Sequence, residues 1–289
     1  MRRKHQFISA AQVPRDVAPS PRRVYLYDDP SAATLDLNAV AAYLSKTTGI
    51  PATVRREFLR HHGAVDPESL AARIAATRVV DASRPHVPLA PLPPPLVHFE
   101  RRLLENPERR VPGVLYDGFQ LQAICRSVLP PKERTLDVAH VAFTSRLPGT
   151  FDDADRRYHA RAIVLGAPAL VSTSGLVEAP AKPRAFYAAK RGLRIESADA
   201  RYEALKQEYA GRFVDYDDPR LTQIAKGYVL QAAFYLVTGE AFCEDPDCVL
   251  FNAHWQEEVL HAQVESGLLC ARHRKVAEGL RGGRRSRPR

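Results

Sequence analysis

The sequence Tyr228-Val-Leu-Gln-Ala-Ala-Phe-Tyr-Leu-Val-Thr-Gly-Glu-Ala-Phe-Cys-Glu-Asp-Pro-Asp-Cys-Val-Leu250 indicates a buried helix followed closely by two cysteines. Residues 228–238 are apolar almost all round, which is typical of a helix in the middle of a domain. Upstream, Asp218 can cap free backbone amides and Pro219 suits the first helical position. Gly239 predicts a left-handed end. We therefore expect a central helix from 219 to about 238.

The region before this helix predicts an alternation of strands and helices. Residues 23–28 and 49–56 have strand character and flank a helical pattern at 35–46, so the opening is a βαβ unit with a partly parallel sheet. The same patterns give further helices at 67–78 and 116–128, and further strands at 138–144, 160–165 and 169–173. The sequence thus predicts an α/β (α+β) fold with a sheet packed on helices.

Two segments between these elements lack a helix or strand pattern. Residues 85–95 are rich in proline and predict an ordered extended connection, with a docking peptide for an aromatic groove as the alternative. Residues 150–160 are dense in Asp, Arg and His. This second segment is either a functional loop or a turn held by Asp–Arg pairs.

Length and composition indicate a folded globular protein. The chain has 289 residues, of which 45% are hydrophobic and 26% charged. It lacks a run of eighteen apolar residues and a cleavable leader pattern, so we expect a cytoplasmic protein with no membrane span. We expect one domain over 22–280, with flexible basic tails at 1–21 and 281–289.

The positive charge is concentrated at the two ends. Residues 1–23 carry a charge of +5 and residues 272–289 carry +7, which leaves −3 on the rest of a chain whose total is +9. The tails can contact nucleic acid weakly and nonspecifically through its phosphates. The alternative is that they only aid solubility, because no aromatic residues alternate with the arginines for base stacking.

Two residue pairs downstream of the central helix have the spacing of metal ligands. Cys243-x4-Cys248 and Cys270-x2-His273 offer three thiolates and one imidazole, a set that recurs in closed tetrahedral zinc sites. Alternatives are free thiols or a Cys243–Cys248 disulfide, which a reducing cytoplasm disfavours. Cys125 stands alone and is expected to pack in the core.

Gly239-x3-Cys243-x4-Cys248-Val-Leu250 resembles the end of the archaemetzincin signature, HExxHxxGxxHC followed by four residues and C-x-M. Cys270-x2-His273 falls where that family has a CxxC pair. The resemblance covers roughly 22–280 and is specific in the last forty residues. It implies a metzincin-like mixed sheet before an active-site helix, a zinc-bound helical C-terminal segment, and descent from zinc metallopeptidases.

The resemblance also implies that the catalytic site is lost. The three zinc histidines of the signature fall at Ala232, Leu236 and Phe242, and the general-base glutamate falls at Ala233. None of these side chains has a lone pair for a metal or a proton. Leu250 takes the place of a methionine that packs beneath the metal.

A polar cluster between the two ligand pairs is a candidate for a replacement site. On one helix, His254, Glu258 and His261 would share a face, with Glu257 or Glu258 as the catalytic base. The three span about 10 Å at 1.5 Å per residue, too far to reach one ion together. A pair of them would need another ligand, such as His159 or an aspartate of 152–155. The alternative is a hydrogen-bonded polar face with Trp255 packed inward.

Three functions follow as hypotheses. The first is a zinc-binding protein with a structural zinc, a lost peptidase site (a pseudoenzyme) and an unidentified protein or peptide partner. The second is an active metallopeptidase or metallohydrolase with a second metal at the rebuilt cluster. The third is a nucleic-acid-associated protein that binds through its basic tails.

Overall fold

The computed structural model describes residues 21–63, 66–191, 198–240 and 242–285. Most of the predicted N-terminal tail, residues 1–20, and the end of the C-terminal tail, residues 286–289, lie outside the described residues. The last helix extends to Arg285, so the start of the predicted C-terminal tail is helical. Among the described residues, no helix combines the length and the apolar character needed to cross a membrane.

The strands and helices alternate along much of the chain. The strands are β1 (Arg23–Tyr27), β2 (Ala52–Arg55), β3 (Leu115–Asp117), β4 (Val138–Thr144), β5 (Leu147–Asp152), β6 (Arg157–Ala160), β7 (Ile163–Val164) and β8 (Ala169–Ser172). The α-helices are α1 (Leu37–Thr48), α2 (Phe58–His61), α3 (Pro67–Ala75), α4 (Pro94–Glu105), α5 (Gly118–Val128), α6 (Thr173–Glu178), α7 (Arg184–Arg191), α8 (Ala198–Glu208), α9 (Leu221–Thr238), α10 (Gln256–Leu260) and α11 (Ala271–Arg285). A 3-10 turn (Pro131–Glu133) and a π-helical turn (His261–Ser266) complete the described elements.

The main sheet is mixed and has the strand order β2-β1-β4-β8-β7. The first four of these strands are parallel, and β7 at the edge runs antiparallel to β8. The β1-α1-β2 unit matches the predicted opening of the chain. The predicted mixed α/β architecture is thus confirmed.

A second sheet of three strands, β3-β5-β6, corrects the expectation of a loop over 150–160. Residues 147–160 form the hairpin β5-β6, whose turn is held by the Asp152 carboxylate accepting hydrogen bonds from the backbone N–H groups of Ala154 and Asp155. The predicted strand over 160–165 is divided between β6 and β7, which belong to different sheets. The chain therefore crosses from one sheet to the other at Arg161.

The extended connection predicted over 85–95 ends earlier than expected. Pro94 and Pro95 are the first residues of α4. Proline lacks a backbone donor, and the first turn of a helix does not need one. The remaining residues of that segment carry no regular element.

Helix α9 is the predicted central helix, and it packs against α1, β4 and β8. It ends at Gly239, whose φ of 73° is the left-handed conformation expected there, with its N–H bonded to Tyr235 O at 2.9 Å. The helix begins at Leu221, two residues later than predicted. Asp218 uses its carboxylate to accept a hydrogen bond from Arg220 N at 2.8 Å and to pair with the Arg220 guanidinium.

Candidate metal centre and cleft

The four predicted zinc ligands come together at the C-terminal end of α9. Cys243 and Cys248 lie on the loop that follows this helix, and Cys270 and His273 lie at the start of α11. Backbone bonds hold the two segments side by side: Cys243 N donates to Leu250 O at 2.9 Å, and Val249 N donates to Leu268 O at 2.7 Å. The local fold thus brings all four side chains together.

The distances within this Cys/His cluster fit a tetrahedral zinc ion. Zn–S bonds of about 2.3 Å at tetrahedral angles place two sulfur atoms ~3.8 Å apart. The Cys243 and Cys270 sulfurs are 3.9 Å apart, and His273 Nδ1 lies 3.6 Å from Cys248 Sγ and 3.2 Å from Cys270 Sγ. All four ligand atoms lie within 4.8 Å of one another. The donor set and its spacing therefore suit zinc.

The surroundings of the cluster favour a closed, structural site. Backbone N–H groups of Asp245 and Cys270 donate to the sulfurs of Cys243 and Cys248, at 3.4 and 3.5 Å, as outer-shell donors do for metal thiolates. Burial raises the pKa of the Cys248 thiol and lowers the pKa of His273, whose imidazole is then neutral and able to donate a lone pair. Four protein ligands leave no open position for water or substrate.

A cleft of about 590 Å³ lies between α9, the edge strand β7 and the segment after the cysteine loop. Its lining residues are Phe119, Thr150, residues 159–165, residues 179–181, Tyr228, Gln231, Tyr235, Phe242 and residues 251–254. Phe119 and Phe242 expose 61% and 36% of their surface, so the cleft presents aromatic rings to solvent. This is the volume and character of a site for an organic ligand.

The residues of α9 that border the cleft lie one position before those that the family resemblance assigns to the histidines. Gln231 and Tyr235 line the cleft, whereas Ala232 and Ala233 are 1% exposed and belong to the hydrophobic core. Leu236 also packs against that core. The side chains at the predicted histidine and glutamate positions on α9 are therefore not those that a ligand in the cleft would meet.

Three residues that border the cleft, Gln231, Tyr235 and Phe242, are not zinc ligands. Gln231, Tyr235 and Phe242 offer no imidazole and no carboxylate, and no metal-ligand cluster of the described residues includes any of them. Gln231 Nε2 donates to Phe251 O at 3.3 Å, and its buried Oε1 has no hydrogen-bond partner in the described structure. Leu250, at the predicted methionine position, is 2% exposed and packs in the core.

The predicted replacement cluster is used for other contacts. The Glu258 carboxylate accepts hydrogen bonds from the backbone N–H groups of His254 and Trp255, at 2.7 and 3.0 Å, and so caps α10. His261 lies between the carboxylates of Asp247 and Glu265, at 2.7 and 2.9 Å, on the exposed surface. His254 precedes the helix, so the three side chains do not share the predicted helical face.

Glu257 and Trp255 also have partners. Glu257 is exposed and pairs with Arg212 at 2.7 Å. Trp255 is half-buried, and the Arg184 guanidinium lies over its ring at 5.2 Å from the centroid. Within the described part of the chain, no ligand cluster includes His254, Glu257, Glu258 or His261.

His159 and two aspartates of the 152–155 segment are predicted replacement ligands that do lie in a cluster. Ligand atoms of Asp152, Asp155 and His159 lie within 4.8 Å of one another at the β5-β6 hairpin, and His159 Nε2 is 3.0 Å from an Asp155 oxygen. His159 also lines the cleft. The sequence analysis named these residues but did not predict the hairpin that brings them together.

A third cluster, which the sequence analysis missed, is a directed hydrogen-bond network. His140 Nε2 lies 2.9 Å from the backbone oxygen of Glu133, which can only accept, so Nδ1 accepts from the Tyr27 hydroxyl at 2.7 Å. The Tyr27 oxygen in turn accepts from His62 Nε2 at 2.9 Å and from Arg55 at 3.0 Å. Arg55 also makes two hydrogen bonds to the Glu133 carboxylate. Because these polar atoms bond one another, the network needs no metal.

Comparison with known proteins identifies the family of this chain. The model of the "Probable metallopeptidase family (DUF6775)" matches residues 20–280, which include the Cys/His cluster and the residues that line the cleft. No curated protein and no solved structure matches the chain. The chain therefore belongs to this probable metallopeptidase family.

Proposed function

We propose that this chain binds peptides in the cleft without cleaving them, and that a structural zinc at the Cys/His cluster stabilises it. One observation carries the proposal. The helix face that borders the cleft presents Gln231 and Tyr235, and the family resemblance assigns the third histidine position to Phe242. These residues favour binding over metal-assisted hydrolysis, because hydrolysis needs a metal-bound water and a base.

The position of β7 supports a peptide as the ligand. This strand is at the edge of the main sheet, and both of its residues, Ile163 and Val164, line the cleft. An edge strand offers backbone groups that an extended peptide can pair with, while pockets beside it receive alternate side chains. The exposed rings of Phe119 and Phe242 suit apolar side chains of such a peptide.

The Cys/His cluster supports a structural role for zinc. When bound, the metal would supply four bonds that join the loop after α9 to the start of α11. Cys248 is fully buried and Cys243 is 8% exposed, which also favours a structural site over a catalytic one. Such a site contributes its binding free energy to folding.

The test measures binding and cleavage in the same samples. Fluorescence anisotropy with a library of extended peptides should give saturable binding, and mass spectrometry of the same mixtures should give no products above the buffer blank. Tyr235→Ala should weaken binding, whereas Tyr43→Phe, on α1 and away from the cleft, should not. Peptide hydrolysis that a chelator abolishes would refute the proposal, and so would the absence of any binding.

The Asp152–Asp155–His159 cluster supports a second candidate, an active metallohydrolase with a rebuilt metal site beside the cleft. This candidate predicts a second metal per chain, together with hydrolysis that His159→Asn abolishes. It does not need His254, Glu258 or His261, because the side chains of Glu258 and His261 have other contacts and His254 precedes the helix. A chain with hydrolysis but with no dependence on His159 would contradict it.

A further inference from the structure

The charged and ionisable lining residues of the cleft that bear on its charge are basic. Among its lining residues, Arg161 is the only side chain with a permanent charge, His159 and His254 add two imidazoles, and there is no carboxylate. The described hairpin carboxylates nearby have other partners. Asp152 accepts backbone hydrogen bonds in its turn and attracts Arg161 electrostatically without a hydrogen bond to it, and Asp155 pairs with His159 at 3.0 Å.

Arg161 is held in place by its backbone and its Nε, while its terminal nitrogens stay available. Its backbone N–H donates to Pro148 O at 2.8 Å, and its backbone oxygen lies so close to Gly175 that a Cβ there would collide with it. Its Nε donates to Thr150 Oγ1 at 2.7 Å. The terminal nitrogens make no hydrogen bond or ion pair to any residue that the structure describes. A half-buried, oriented guanidinium with free donors is suited to bind a carboxylate through two parallel hydrogen bonds.

We propose that the cleft selects peptides that bear a carboxylate, and that Arg161 is the residue that binds this carboxylate. This inference rests on the proposed peptide-binding function and names the ligand class. The peptide lies along β7, its apolar side chains contact the aromatic rings, and one carboxylate pairs with the Arg161 guanidinium. The carboxylate comes either from the C-terminus of the peptide or from an Asp or Glu side chain.

Four peptides of one apolar sequence distinguish these sources. The first has a free C-terminus, the second is amidated, the third is amidated with an internal Glu, and the fourth is amidated with Gln in place of that Glu. Dissociation constants are measured by fluorescence anisotropy with the full chain at low and at physiological salt. We expect one of the two acidic peptides to bind at least about tenfold more tightly than its neutral partner, with a smaller margin at higher salt.

Three variants test the role of Arg161. Arg161→Ala should reduce the affinity for the acidic peptide to that for the neutral one, and Arg161→Lys should restore part of the preference, because ammonium keeps the charge but not the planar fork. Arg73→Ala, which removes an exposed arginine on α3 outside the cleft, should change neither affinity. Unchanged melting temperature and zinc content show that each variant is folded.

Three results overturn the inference, and they distinguish its failure from that of the proposed function. If the unaltered chain binds acidic and neutral peptides equally, or if Arg161→Ala weakens both by the same factor, the carboxylate preference is refuted and peptide binding stands. If no peptide binds the unaltered chain, the proposed function fails and the inference fails with it.

Discussion

His62 and His140 are histidines that the fold keeps neutral. Burial is the largest cause that lowers the pKa of each, and it takes the pKa of His62 to about 4 from an ordinary value of 6.5. The chain of hydrogen bonds through Tyr27 explains why neutrality matters, since His140 Nδ1 must accept a hydrogen bond. A proton on that atom would break the network.

The lowered pKa of His62 predicts acid sensitivity. Below about pH 6.5 the unfolded chain binds a proton at His62 more readily than the folded chain does, so the free energy of unfolding falls from pH 6.5 towards pH 4. In His62→Gln, which keeps a donor for Tyr27 but does not titrate in this range, urea unfolding should show a smaller fall over the same window.

His261 provides a control of opposite sign. Its pKa is raised by hydrogen bonds to Glu265 and Asp247, so its contribution is present below pH 6.5 and is lost as the pH rises through the folded-state pKa. His261→Gln should therefore remove stability at low pH only.

The free energy of unfolding could instead fall equally between pH 6.5 and pH 4 in His62→Gln and in the unaltered chain. That result would contradict the account of the network.

At the scale of elements, the packing of α9 against the π-helical turn depends on Gly227. A Cβ at Gly227 would collide with Oε1 of Gln263, which is 1% exposed and whose Nε2 donates to Val249 O at 2.8 Å. Glycine within a helix otherwise costs about 1 kcal/mol relative to alanine. The close approach therefore explains why a glycine occupies the middle of the central helix.

The effect of Gly227→Ala on the free energy of unfolding should depend on which residue occupies position 263. In the unaltered background we expect a loss of about 1–3 kcal/mol in the free energy of unfolding, because Gln263 must shift and lose its bond to Val249. In the Gln263→Ala background the same change should be neutral or stabilising by up to about 1 kcal/mol. Chemical denaturation of the unaltered chain, the two single variants and the double variant gives the coupling free energy between positions 227 and 263. A coupling free energy near zero would contradict the close approach.

The sequence predicts elements with strong local signals and misses those that depend on distant partners. The βαβ opening, α9 and its left-handed end follow from apolar periodicity and from Gly239. The second sheet does not, because β3 is three residues long and pairs with the distant β5, which contains Pro148 and Gly149. The hairpin turn carries no glycine signal either, since Arg156 takes the left-handed conformation with a φ of 51°.

The candidate site divides in the same way. The Cys/His ligands fall in two short-range pairs, so their spacing predicts the set, and the fold brings the pairs together. The face of α9 that borders the cleft cannot be predicted in this way. The helix is apolar almost all round, so hydrophobic periodicity does not indicate which face is buried and which is open to a ligand. Gln231 and Tyr235, which line the cleft, therefore carry no signal in the sequence that marks them out from Ala232 and Leu236.

At the scale of the whole molecule, the positive charge lies near the two ends of the sequence, and the part of it in residues 272–285 belongs to α11. The third function hypothesis predicts weak nucleic-acid binding that falls with salt and disappears when the tails are removed. The helical course of α11 to Arg285 sets the design of the test, since Arg281 donates a hydrogen bond to Lys46 O at 3.5 Å and a deletion from 281 would remove it.

The truncated chain should therefore lack residues 1–20 and 286–289 only. We expect it to keep its melting temperature and its zinc, and to lose a weak affinity for a random DNA duplex at low salt. Filter binding at several salt concentrations measures this affinity. Binding that survives the truncation would place the contact on the body of the chain and contradict the hypothesis.

The central claim is that one zinc ion occupies the Cys/His cluster and that the cleft holds no metal. Elemental analysis of metal per chain tests it directly, on protein purified without chelator or a metal-binding tag, alongside Cys270→Ala and the control Cys125→Ala. The account predicts one zinc per chain in the unaltered protein and in Cys125→Ala, and none in Cys270→Ala. No zinc in the unaltered protein, or a second metal that Cys270→Ala retains, would contradict it.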